Sequence, residues 1–82
     1  MLYTKAIGIR LQEILQQAKL TQTEFAEKSG ISRVTINAII KGRVNCVRIE
    51  MLIKFCRIFN INLTEFFYAD VFIDDLEIKN DG

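Results

Sequence analysis

Proline and histidine are absent from this chain of 82 residues, and cysteine appears only twice, at Cys46 and Cys56. Without proline the residue that most strongly breaks a helix is missing, so helices are favoured throughout. With no histidine, and with two sulfurs ten positions apart and no CxxC pair, half the ligand set of a structural zinc is missing. No metal and no cofactor are therefore expected. Nothing supplies an acid, a base or an activated nucleophile either, so no catalytic residue is expected and an enzyme is the least supported class. No run reaches the roughly 18 apolar residues of a membrane span. Met1 is followed by no basic stretch and apolar signal core, and a lone bridge between Cys46 and Cys56 would belong to a secreted protein. Free thiols in a cytoplasmic protein that does not touch membranes are the expectation.

Half of the residues are hydrophobic, enough for one small domain with a single core. The net charge of +1 conceals an uneven distribution. Between residues 30 and 60 six basic side chains, Arg33, Lys41, Arg43, Arg48, Lys54 and Arg57, face Glu50 alone. From 61 to 82 the ratio reverses, with six acids against Lys79. A polyanion is drawn to the middle of such a chain and repelled by its end.

Apolar spacing and cap chemistry together predict five short helices. Ile7, Leu11, Ile14 and Leu15 form one face of a first helix over about residues 4–18. Thr21 and Glu24 make a capping box for a second, from Gln22 to about Ser29, which Gly30 stops. Ser32 caps a third from Arg33 to Lys41, ended by Gly42. Residues 49–59, IEMLIKFCRIF, are apolar on more than one narrow stripe and read as a central helix touched from several sides. Asn62 and Glu65 form a second capping box for a short fifth helix. The tail from 69 to 82 mixes strand-like alternation with helical spacing and is not assigned.

Two helices of about eight residues joined at a glycine turn, the second with a polar outer face, make a helix-turn-helix. Here the stretch LTQTEFAEKSGISRVTI, Leu20 to Ile36, the Gly42 turn and the closing FNINLTEFF resemble the phage repressor and Cro group of DNA-binding domains, the XRE family. The resemblance implies an all-α, compact five-helix, lambda-repressor-like domain over 1–68, with a short acidic and apolar C-terminal extension over 69–82. It implies a sequence-specific transcriptional regulator, most simply a repressor, binding double-stranded DNA. Gln22, with Thr23 beside it, is then placed to bond a phosphate from a helix N-terminus. Arg33, Val34, Asn37 and Ala38 take the positions that face base edges, where Arg reads guanine, Asn reads adenine and Val meets a thymine methyl. Ser32, Thr35, Lys41, Arg43 and Asn45 fall at positions near the DNA backbone. Leu15 and Ile40 stand where members often carry an Arg and Glu pair, which implies that a hydrophobic contact has replaced it. Lys19 replaces the usual glycine that ends the first helix.

A protein-interaction module on the same fold, such as an antitoxin or an anti-repressor, is the competing reading, because fold alone does not decide function. One recognition helix reads few base pairs, and a two-fold dimer with recognition helices about 34 Å apart is the usual remedy. The apolar tail, with Phe66, Phe67 and Phe72 as anchors, is the expected homodimer element. The alternative is that it folds back over its own monomer.

Overall fold

The computed structural model describes residues 2–74. In chain order these form α1 (Tyr3–Ala18), α2 (Gln22–Ser29), α3 (Arg33–Ile40), α4 (Ile49–Phe59), α5 (Leu63–Phe67) and α6 (Asp70–Asp74), with no strand among the described residues. The five expected helices are present, and α6 corrects the count to six. The part of the tail from 75 to 82, with its remaining acids, lies outside the described residues.

The helix ends follow from local chemistry. In both capping boxes the two bonds form reciprocally: Glu24 N–H donates to Thr21 Oγ1 and Thr21 N–H to the Glu24 carboxylate, and Glu65 and Asn62 do the same. At the other end of α1, Lys19 adopts left-handed backbone with φ 57°. A side chain there costs about 1 to 2 kcal/mol of backbone strain. The turn is nevertheless held, because Lys19 N–H donates to Gln16 O and Leu20 N–H to Leu15 O at 2.9 Å, closing the last turn.

One core gathers Ile7, Leu11, Ile14 and Leu15 of α1, Phe25 of α2, Ile36 and Ile39 of α3, Leu52, Phe55 and Cys56 of α4, and Phe66 of α5. Ile40 packs partly buried against the same cluster, so Leu15 and Ile40 share one core. Phe25 stacks on Phe59, with centroids 5.1 Å apart and planes 12° from parallel, and tilts against Phe55 at 5.3 Å. These contacts lock α2 to α4. Helix α4 buries Leu52, Phe55 and Cys56, packs Met51, Ile58 and Phe59 against the core, and leaves Ile49 and Ile53 exposed. Its principal neighbours are α2 and α5. Cys56 is core: burial, and secondarily the Glu65 carboxylate, push its thiol pKa up, so it stays protonated. Cys46 is exposed in the loop after α3.

Arg10 joins the two ends of this core. Its Nε donates to Phe66 O at 2.6 Å and its Nη2 to Glu65 O at 2.8 Å, while Nη1 lies 3.5 Å from Glu13 Oε1. The guanidinium fork thus supplies a donor to Phe66 O, which the end of α5 leaves open, and a second donor to Glu65 O, which also accepts from Tyr68 N–H at 3.3 Å. Beyond it, α6 packs on α1, Val71 is buried, and Phe72 lies 4.8 Å from Phe67 and 6.3 Å from Phe66, centroid to centroid. Phe66 is 0% exposed, which corrects its expected role as a contact for a second copy: it is spent within its own chain.

Candidate nucleic-acid interface

The α2–turn–α3 unit is built so that one face of α3 is buried and the other open. Ile36 and Ile39 lie beneath it, whereas Arg33 is exposed and Val34 is 81% exposed. The turn is fixed at Gly30, with φ 73°, where the glycine N–H reaches Ala26 O and Ile31 follows into the core margin. Ser29 Oγ then accepts from Ile31 N–H at 3.1 Å, tying the exit of the turn.

Ser32 starts α3. Its hydroxyl accepts from Thr35 N–H at 3.1 Å and donates to Thr35 Oγ1 at 2.9 Å. At the start of α2, Thr21 satisfies Glu24 N–H, which leaves the amides of Gln22 and Thr23 without an intrahelical acceptor. Two free N–H groups and a positive dipole end thus sit beside the Gln22 side chain, an arrangement that suits an anion.

Asn37 Nδ2 donates to Gln22 Oε1 at 3.1 Å. With its oxygen so occupied, Gln22 keeps its two amide hydrogens for an outside acceptor. Asn37 retains Oδ1 and one hydrogen, the pair of groups that an adenine edge requires. Arg33, Val34 and Asn37 line an open hollow of about 450 Å³ on this face. Ala38 is half-buried and offers only its methyl.

At the far end of α3, Gly42 N–H reaches Ile39 O at 3.0 Å and Arg43 N–H reaches Ala38 O at 2.9 Å, with Gly42 in the left-handed region at φ 69°. Lys41, Arg43 and Asn45 are exposed here. All eleven residues singled out in the sequence thus lie on α2, α3, the turn between them or the loop that follows. Only Gln22 with Asn37, and Ser32 with Thr35, are joined by side-chain hydrogen bonds among the described residues.

Two residues that periodicity passes over also position this surface. Gly8 meets the end of α3 so closely that a Cβ there would lie 2.2 Å from Ile39 O and 2.7 Å from Ile40 O. A glycine inside a helix, on the same face as Leu11 and Leu15, is the sequence signal for such an approach. Lys5 lies against Gly42: a Cβ on that glycine would come within 2.7 Å of Lys5 Cγ. No local signal in the sequence announces that neighbour.

Among the described residues no group of His, Cys, Asp or Glu could hold a metal ion, and no helix is long and apolar enough to cross a membrane.

A family model described as Helix-turn-helix matches residues 11–66. Over 62 residues, 76% of this chain, the sequence is 39% identical to the HTH-type transcriptional regulator PuuR of Escherichia coli (strain K12), and it is equally similar to the PuuR of Shigella flexneri. The aligned part is 33% of each relative, so the chain spans about one third of the length of these curated relatives. With the family match covering more than half of the chain, and α2, the Gly30 turn and α3 forming the motif itself, the chain belongs to the helix-turn-helix family of the phage repressor and Cro type.

Proposed function

We propose that this chain binds double-stranded DNA sequence-specifically, with α3 in the major groove and the start of α2 on the phosphate backbone, and that it thereby regulates transcription, most simply as a repressor in the cytoplasm. The observation that carries the reading is the split face of α3: Ile36 and Ile39 are buried while Arg33 and Val34 project outward beside Asn37. Arg33 and Val34 would then read base edges, with Asn37 able to complete an adenine contact. Gln22 and the free amides of Gln22 and Thr23 would hold a phosphate, joined by Thr35, Lys41, Arg43 and Asn45. Ser32 supports them as the cap of α3. The protein acts by binding, not by catalysis.

A second copy would double the number of base pairs read. Phe67, Tyr68 at 81% exposure and Ile73 at 70% are the apolar side chains that the α5–α6 segment leaves open for it. Sedimentation of the full chain, free and on its selected DNA site, tests this; a monomer in both states at high micromolar concentration rejects the dimer.

Selection from random duplexes, followed by titration of the selected site and of random DNA, tests the groove assignment. Arg33→Ala should cost about 1 to 3 kcal/mol on the selected site and relax preference at one base pair, while Gln22→Ala weakens both duplexes, the selected one more by the share that Asn37 loses with its partner. Equal losses on both duplexes for both variants would show the assigned roles to be wrong.

A further inference from the structure

We propose that Lys5, on α1, is a DNA-phosphate contact at the far end of the recognition helix, forming one basic cluster with Lys41 and Arg43. The proposal rests on the DNA-binding reading above and extends it to a helix outside the motif. Its carrier is the packing at Gly42. A Cβ built on that glycine would lie 2.7 Å from Lys5 Cγ, 3.3 Å from its Cα and 3.4 Å from its Cβ. The stem of Lys5 is therefore laid across the turn that ends α3. The glycine is required twice, for its positive φ and for the space that Lys5 fills.

The consequence is electrostatic. Lys41 and Arg43 flank Gly42 in the chain, so exposed cations from positions 5, 41 and 43 converge around one turn of backbone. Helix α1 has no acid in its first turn, nor does α3, and the single ion pair among the described residues, Arg10–Glu13, involves none of the three. Three like charges brought together with no ion pair among the described residues repel one another, and a polyanion lying along that edge relieves the repulsion. The groove face of α3 fixes where the polyanion runs: a duplex seated on Arg33 and Val34 carries its backbone past the end of the same helix. The ammonium of Lys5, a compact charge with three donors on a flexible stem, suits a phosphate oxygen.

The test is the salt dependence of duplex affinity for the full chain, for Lys5→Met, Lys5→Arg and, as a control on another helix, Lys54→Met. Methionine keeps an unbranched stem over Gly42 and removes only the charge, so an unchanged melting temperature checks that the fold is intact. Each neutralised phosphate contributes about 0.9 to the slope of log K against log salt. Lys5→Met should lower the slope by that amount and weaken selected and random duplexes alike, by about eightfold at 0.1 M salt. Lys5→Arg should restore the slope, and Lys54→Met should leave it alone. A Lys5→Met slope equal to that of the wild type, where the wild type itself is steep, overturns the Lys5 contact and leaves the DNA reading standing. A wild type without salt-dependent duplex binding overturns both.

Discussion

The Asn37 side-chain amide donates to Gln22 Oε1 across 3.1 Å, so the recognition helix and the first residue of α2 are joined by a bond outside the backbone. The bond turns the Gln22 hydrogens outward and fixes the plane of the Asn37 amide. If Gln22 holds a phosphate, base reading and backbone anchoring are coupled through this pair. A double-mutant cycle of Gln22→Ala and Asn37→Ala, read as duplex affinity, should show a coupling of about 0.5 to 1.5 kcal/mol, the net worth of one hydrogen bond. Losses that add to within about 0.3 kcal/mol would mean the pair acts as two independent residues.

Gly8 sets how closely α1 can approach α3. Alanine there gains about 0.5 to 1 kcal/mol of helix propensity, but its methyl would stand 2.2 Å from Ile39 O, a backbone atom that cannot swing aside. Overpacking of this kind costs about 1 to 3 kcal/mol. Gly8→Ala should therefore be destabilising on balance in urea unfolding, and the shift it forces on α3 should weaken DNA binding further than the lost stability explains. A variant as stable as the wild type would show that α1 yields at this point.

Arg10 reaches two carbonyls of α5 from α1. Hydrogen bonds from a charged donor contribute about 1.5 to 3 kcal/mol, and truncation leaves Phe66 O open, whereas Glu65 O keeps the Tyr68 N–H. Arg10→Ala should lower stability by an amount in that range. Lysine should recover little of it, since an ammonium cannot reproduce the fork. Full recovery by lysine in denaturant titration would assign the effect to charge alone.

The Glu24 carboxyl is held below the ordinary value of about 4.5, first by the Thr21 backbone N–H, then by the Thr21 hydroxyl and the charge of Lys28. A folded pKa below the unfolded one means that the unfolded chain binds more protons in that window, so the stabilisation is full above it and is lost as pH falls through it. Acid should therefore loosen the first turn of α2, where Gln22 sits. Amide protection at the start of α2, with the intrinsic exchange rate divided out, should fall below about pH 4.5. Glu24→Gln should remove that pH dependence, and an identical acid response in the variant would assign the loosening to another group.

The features legible in residue order are local. Thr21, Ser32 and Asn62 with their partners three residues on, and Gly30 and Gly42 beyond the helices they end, decided the bounds of α2, α3 and α5, because caps and turns depend on neighbours within one turn of chain. Helical spacing likewise separated Ile36 and Ile39 from Arg33 and Val34, and that division locates the candidate interface. Tertiary structure alone decided the rest. That Lys5 covers Gly42, that Asn37 reaches Gln22, that Gly8 meets Ile39 and that Phe66 is enclosed beneath Phe72 are consequences of how whole helices cross. The short α6 belongs with them: in isolation its five residues are too few to hold a helix, and it is the face of α1 that gives Val71 and Phe72 somewhere to be buried.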